Sequence, residues 1–222
     1  WLPEPLVQAS TGEAQPTPED KLALADDISM ALLHMLERLA PDERTAFLLH
    51  EAFDYDYGEL ASLLGKSEAA CRQIVSRARR RVSDERPRFN TSVSEHARLA
   101  QAFSLALSSE DPNALIACLK PDAVLLSDGG GKAAAALNPI FTADHITRFL
   151  FGIARKFKMP FSPLPVTING QPGFALIHEG QLHSLISVDI EDGQIATIYI
   201  MRNPDKIARA AEALGLPLLA NP

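Results

Sequence analysis

The sequence predicts two domains of different class: an all-α helix-turn-helix bundle, then an α+β domain with a curved antiparallel sheet. Three observations predict this. Apolar residues recur at helical spacing from about Glu19 to Glu85. The stretch Arg86-Pro87-Arg88-Phe89-Asn90-Thr91 then reads as a linker, and the texture changes after it. Beyond it, the turn pairs Asn169-Gly170, Glu179-Gly180 and Asp192-Gly193 punctuate apolar runs, and consecutive hairpins build an antiparallel sheet. The expected division is a linker over 1–18, the helical bundle over 19–86, a second linker over 87–93, the α+β domain over 94–215 and a tail over 216–222.

Each element has its own signal. Pro3, Pro5, Pro16 and Pro18, set among Gln, Ser, Thr and Gly, make the first segment a locally stiffened linker. Ile28, Leu32, Leu36 and Leu39 share one face of a first helix. Pro41 opens the next helix, because proline loses nothing in a first turn, and Asp42 and Glu43 suit the positive end of its dipole. That helix carries Ala46, Phe47, Leu49 and Phe53, and a break at Asp54-Tyr55-Asp56 leads into two shorter helices. In the second domain, helices over about Ser94–Ser108 and Pro112–Leu119 precede a strand at Ala123–Leu126. A loop, Asp128-Gly129-Gly130-Gly131-Lys132, follows, and then a helix near Ala143–Phe157. Strands are expected over Val166–Asn169, Phe174–His178, Leu182–Ile190 and Ile195–Met201, and a closing helix after Asn203-Pro204. Phe141, Phe149, Phe151, Phe157, Phe161 and Phe174 are available to line an apolar interior.

Composition narrows the function. Of 222 residues, 46% are hydrophobic and 22% charged, which suits a globular protein with a sizeable core. No apolar run approaches the ~20 residues that span a bilayer, so no membrane partner is expected. The start at Trp1 has no signal-peptide pattern and reads as the middle of a longer chain. Cys71 and Cys118 have no Cys or His at ligand spacing, which argues against a metal site and fits a reducing cytoplasm. Net charge is −7, but it is unevenly spread: Tyr57 to Arg88 is +4 and the remainder −11. One basic segment in an acidic protein points to a single anion-binding face.

That segment holds the most specific pattern. In Tyr57-Gly58-Glu59-Leu60-Ala61, a small residue stands where two helices would cross. Gly65 supplies the left-handed residue of a tight turn, and Ser67 is placed to cap the second helix. Leu60, Leu64, Cys71 and Ile74 fall toward the bundle. With Cys71, Ile74, Val75, Ala78 and Val82 turned inward, the second helix presents Arg72, Gln73, Ser76, Arg77 and Arg80 outward. A helix fits the major groove, where Arg pairs with guanine and Gln with adenine. Arg79, Arg81 and the Ser67 end are better placed for phosphates.

Leu36-Glu37-Arg38-Leu39-Ala40-Pro41-Asp42-Glu43-Arg44-Thr45-Ala46-Phe47-Leu48-Leu49, with Tyr57-Gly58-Glu59-Leu60-Ala61 and Ser76-Arg77-Ala78-Arg79-Arg80-Arg81, resembles region four of the extracytoplasmic-function sigma factors. The resemblance covers about residues 19 to 85. It implies promoter DNA, at the upstream (minus thirty-five) element, and the β flap of core RNA polymerase as partners, with Arg72, Gln73, Ser76 and Arg77 facing bases. The later order of helix, helix, strand, helix and four strands resembles the SnoaL-like cone. Some cones of this kind are cyclases, isomerases or dehydratases; others only bind.

A subgroup of these sigma factors carries such a cone behind region four. Three motifs match it: Trp1-Leu2-Pro3-Glu4-Pro5, Asp128-Gly129-Gly130-Gly131-Lys132 and Asn203-Pro204-Asp205-Lys206-Ile207, where the family favours Leu at the last place. The resemblance implies that the cone regulates the sigma factor in cis, in place of a separate anti-sigma protein. Region two, the implied partner in cis, is missing, so the chain as given is expected to bind a promoter without opening it.

The motifs also have readings of their own. Asp128 and Lys132 suit polar contacts across an interface, with glycines that allow close approach. The loop lacks the remaining glycine and the hydroxyl of a P-loop, so no nucleotide cofactor is expected. Trp1 and Leu2, at ~25 cal/mol per Å² of apolar surface, are expected to pack against the cone or region two. Asn203 and Pro204 suit a helix entry, while Asp205 and Lys206 join them in an interface role. A second reading, of another class, is a cone enzyme tethered by the helical domain, drawing on His178, His183, Asp189, Asp128 and Tyr199. Strand alternation sets His183, Ser187 and Asp189 opposite Leu182, Ile186, Val188 and Ile190, which predicts an outer polar face and no catalytic dyad. An unidentified small ligand in the cone is a further expectation.

Overall fold

The computed structural model describes residues 2–9, 30–84, 92–157 and 161–219. Expectations for Trp1, Pro16, Pro18, Ile28 and the linker Arg86–Thr91 lie outside these residues, as do the side chains of Leu32 and Phe157. The chain forms two compact units, Ala31–Pro87 and a second made of Trp1–Met30 with Arg88–Pro222.

The first unit contains α1 (Met30–Arg38) from its second residue on, α2 (Pro41–Ala52), α3 (Tyr57–Leu64) and α4 (Glu68–Asp84). Pro41 stands in the first turn of α2, and Glu43 accepts a hydrogen bond from the Ala40 amide. The Arg44 guanidinium donates to the carbonyls of Leu36 at 2.7 Å and Glu37 at 2.8 Å, so it satisfies the open end of α1. Ala46, Leu60, Cys71, Ile74 and Val75 pack as one apolar cluster, and Met35, Leu36, Leu39, Ala78 and Val82 as another.

The second unit is a seven-stranded sheet in the order β1-β4-β5-β6-β7-β2-β3. Its strands are β1 (Val7–Ala9), β2 (Leu119–Asp128), β3 (Ile140–Phe141), β4 (Ser162–Ile168), β5 (Gln171–His178), β6 (Gln181–Glu191) and β7 (Gln194–Met201). Helices α5 (Val93–Ser108), α6 (Pro112–Cys118), α7 (Ala143–Phe157) and α8 (Pro204–Ala213) accompany it. The three expected hairpins connect β4 to β7, and both residues of each turn pair have positive φ, as the twist-matched hairpin turn requires.

The structure departs from expectation in five places, each with a physical reason. The sheet is mixed, because β2 runs parallel to β7. Hairpin signals constrain only consecutive strands, and α7 with four strands intervenes between these two. Part of the expected N-terminal linker is a strand: Val7–Ala9 pair with β4 and cover the open backbone groups of that edge. Leu6 and Asn169 fasten it, through the Leu6 amide to Asn169 Oδ1 and the Asn169 amide to the Leu6 carbonyl, each at 2.8 Å. The tail is likewise drawn in, the Leu182 amide donating to Pro217 O and the Leu219 amide to Leu182 O. Phe141 is exposed, because β3 is a two-residue edge strand.

The fifth departure concerns β6. Ser187 and Asp189 are buried, not on an outer face. Both sides of the sheet are covered. Leu99, Phe103, Leu115, Ile146 and Phe151 pack on one side, against Ile186, Val188 and Ile198. Leu2, Ile207, Ala210 and Ala211 pack on the other, with Leu185, Tyr199 and Met201. A bulge at His183, where Ile177 pairs with Leu182 but Leu176 with Ser184, shifts the alternation by one residue.

Asp189 therefore sits in the core, where Tyr199 Oη donates to its carboxylate at 2.6 Å. Burial pushes its carboxyl up to about 7, and the Tyr199 bond opposes this only in part. A carboxyl raised above its ordinary 3.8 contributes stability that is full in acid and lost as pH rises through about 7. D189N keeps an acceptor for Tyr199 but cannot ionise. Thermal melts across this range should show a flatter pH profile for D189N, with its largest gain over the parent above neutrality. Parallel profiles would contradict the assignment.

Candidate functional site

The helix-turn-helix is α3, its turn and α4. Asp56 accepts from the Glu59 amide while Glu59 accepts from the Asp56 amide, both at 2.8 Å, so α3 begins in a reciprocal cap. It ends at Gly65, whose φ of 63° and ψ of 35° are left-handed and whose amide donates to Ala61 O. Ser67 Oγ accepts from the Ala70 amide at 3.2 Å and opens α4. Leu60, Cys71, Val75 and Ala78 are fully or almost fully buried beneath it.

On the opposite side of α4, Arg72, Gln73, Ser76, Arg77 and Arg80 are exposed. Arg72 makes an ion pair with Glu68 at 2.8 Å, and its guanidinium lies 5.2 Å from the centre of the Tyr57 ring. Arg79 and Arg81, expected at phosphates, are exposed but carry ion pairs of their own. Arg79 pairs with Glu51 and Arg81 with Glu43 at 2.7 Å, so both tie α4 to α2. Sequence reasoning missed these two carboxylates because they come from another helix.

The three short motifs meet in the second unit. Asp128 ends β2 with an almost fully buried carboxylate. Its Oδ2 accepts from the Leu2 amide at 3.0 Å and from Lys206 Nζ at 2.8 Å, and its Oδ1 from the Gly130 amide at 2.8 Å. Lys206 also donates to the Leu2 carbonyl. The Asp128 carbonyl accepts from the amides of Arg202 and Asn203. Asn203 caps α8 through the Asp205 amide, Pro204 stands in its first turn, and Lys132 makes an ion pair with Asp205 at 2.6 Å.

Gly130 has φ of 61°, and a Cβ there would lie 2.4 Å from the Asn203 side chain, so both backbone and space demand glycine. Gly129 approaches the Ala133 carbonyl as closely, whereas Gly131 faces open space. Leu2, Pro3 and Pro5 are buried, and Glu4 faces outward 3.5 Å from Arg209. The cluster thus clamps the N-terminal segment, the β2 loop and α8 together.

The residues considered for catalysis do not share one site: Asp189 and Tyr199 pair in the core, away from the two histidines and from Asp128. Asp128 belongs to the cluster and Asp189 to the Tyr199 pair. His183, swung out by its bulge, accepts at Nε2 from Arg202 at 2.9 Å and meets Ser184 at Nδ1, while Phe161 packs on its ring. Phe161 also lies edge-on to the His178 ring. Arg202 was not singled out in the sequence; only its place just before Asn203-Pro204 could have drawn attention to it.

Among the described residues, no helix is long and apolar enough to cross a membrane. A helix-turn-helix with an arginine-bearing second helix, joined to an α+β domain that clamps its own N-terminal segment, defines a transcription factor with an appended domain. Residues 29–82 match the family model "Sigma-70, region 4". The chain is 29% identical over 216 residues to the ECF RNA polymerase sigma factor SigJ of Mycobacterium tuberculosis, covering 93% of this chain and 68% of that protein. It is 30% identical over 200 residues to the probable ECF RNA polymerase sigma factor SigI of the same species, covering 89% and 66%. The crystal structure of M. tuberculosis SigJ superposes with a TM-score of 0.71 at 29% identity, over 94% of this chain and 74% of that one. The chain belongs to the extracytoplasmic-function sigma factors that carry a SnoaL-like domain. It spans about two thirds of the length of these curated relatives.

The clamp should be a strong local determinant of stability. K206M leaves the Asp128 carboxylate buried without its ammonium, and loss of one partner of a buried pair costs ~3–5 kcal/mol. Urea denaturation should show this for K206M and a smaller loss for D128N/K206M, which buries no orphan charge. Burial alone would push the Asp128 carboxyl up, but the bonds from Lys206, Leu2 and Gly130 and the Lys206 charge hold it below the usual range. Its contribution is therefore present at neutral pH and lost as pH falls below the ordinary carboxylate value.

Proposed function

We propose that this chain is the promoter-reading part of a sigma factor, in which α4 enters the major groove and the bundle docks on RNA polymerase. The observation that carries this is the row Arg72, Gln73, Ser76 and Arg77, exposed on a helix set behind the Gly65 turn. An exposed ion pair such as Arg72–Glu68 is worth little and exchanges readily for a guanine edge. Arg77 and Arg80 have no ion pair among the described residues, and they supply the positive charge on this face. Phe53 and Leu63 are 67% and 60% exposed on the same bundle and suit a protein partner such as the β flap.

The SnoaL-like unit acts, on this reading, as a regulator in cis and not as an enzyme. The lone pair that His183 would need as a general base is engaged by Arg202, and the nearest candidate carboxylates have other partners. Its clamp on Leu2–Pro5 gives the regulator its lever. In the resemblance, region two precedes this motif, so holding the motif on the sheet constrains where region two stands. The regulated step is a shift between a polymerase-ready and an occluded arrangement, which the clamp biases.

Promoter binding by the complete protein in holoenzyme tests the DNA assignment. R72A and R77A should each weaken a cognate site by ~1–3 kcal/mol while sparing random DNA. R80A should weaken both alike and lower the salt slope by ~1. Equal losses on cognate and random DNA for all three would leave only a non-specific basic patch. For regulation, trimming after Leu119 should change promoter activity in cells; unchanged activity would overturn the regulatory reading alone.

A further inference from the structure

The SnoaL-like unit contains a cavity of about 940 Å³ between the sheet and helices α5 and α7. That is within the ~300–1,000 Å³ of small-molecule sites. Its lining is largely apolar, with Phe149, Phe151, Leu176, Ile186 and Ile200 prominent. Arg202 interrupts this lining. Its Nη2 donates to His183 Nε2 at 2.9 Å and its Nη1 to the Ala134 carbonyl, while its Nε is buried and donates to nothing. No carboxylate pairs with Arg202 among the described residues.

A guanidinium stays charged in proteins, and a half-buried one without a counter-ion is costly. Burial lowers the Arg202 pKa somewhat, and burial and the Arg202 charge push His183 down to about 4. His183 is therefore a neutral imidazole that orients the guanidinium and adds no charge. The other two ionic groups on the lining, Arg155 and Glu110, are exposed and of opposite sign. The cavity thus combines an apolar body with one unneutralised cation on its lining.

We propose that this cavity binds an apolar monocarboxylate, its chain against the phenylalanines and its carboxylate accepting hydrogen bonds from Arg202. A carboxylate supplies the missing counter-charge to the guanidinium that lines the cavity, and charge-assisted bonds of this kind are the strong ones. The inference is independent of promoter reading, since binding is measured on the chain without DNA.

Calorimetric titration of the chain with dodecanoate, dodecan-1-ol and dodecylamine tests it. Dodecanoate should bind saturably, one molecule per chain, at least about tenfold tighter than the alcohol, with the amine weakest. R202Q should bring dodecanoate down to the level of the alcohol and leave the alcohol unchanged. A154F, which keeps Arg202 but fills the cavity, should abolish binding of both. Equal affinity for acid and alcohol, full dodecanoate affinity in R202Q, retained binding in A154F, or no saturable binding to the parent chain would each overturn the proposal.

Discussion

A buried carboxylate has to be satisfied where it stands, and Asp128 satisfies itself with groups from two distant parts of the chain and from its own loop. Its two oxygens are held by the Leu2 amide, Lys206 and the Gly130 amide. Because desolvating a charge is expensive, these partners cannot drift apart independently. Leu2 is carried onto the sheet and buries its side chain against Ile207, Ala210 and Ala211 of α8. With Leu2 placed, Val7–Ala9 fall beside β4 and close that edge. One ionic contact between a strand end and a helix thereby organises an entire face of the sheet. Asn203 completes it by capping α8 within van der Waals reach of Gly130, which is why the β2 loop has glycine at that position.

Much of this was legible in the sequence, and the failures have a common cause. Gly65, Ser67, Pro41, Asn203 and the three hairpin pairs act through backbone conformation a few residues away, so their signals are local and the structure has them in the expected roles. The parallel pairing of β2 with β7 has no such signal, because it depends on what lies between them. Asp189 was misread for the same reason. Alternation does set Ser187 and Asp189 opposite Ile186, Val188 and Ile190, but Leu2 and α8 cover that face and bury them, while the bulge at His183 separates His183 from the pair. The N-terminal segment looked like a linker by its prolines, yet Pro3 and Pro5 precede the ladder and leave β1 free to pair.

The three short motifs were legible as motifs but not as an arrangement. Nothing in the spacing of Leu2, Asp128 and Lys206, separated by 126 and 78 residues, says that they touch. Their resemblance to one subgroup singled them out; only the packing shows a single clamp. Arg202, and its pairing with His183, was hidden more deeply. Neither belongs to a motif, and their pairing depends on a bulge that sequence alone does not announce.

The recognition helix raises a further question of electrostatics. Tyr57 to Arg88 holds eight basic residues, which suggests a strong affinity for phosphate. The structure disperses that charge: Arg79 and Arg81 are spent on Glu51 and Glu43, Lys66 on Asp42, and Arg72 shares Glu68. Arg77 and Arg80 are what remains of it on the face of α4, in a protein that is otherwise acidic. Such a face has little general attraction for DNA and, on the proposed reading, gains its occupancy from docking on polymerase, which raises the effective concentration at the promoter. The internal ion pairs then have a definite use. The pairs of Arg79 and Arg81 join α4 to α2, most firmly at the largely buried Glu43, and on the proposed reading this holds the few free side chains at the spacing of base edges.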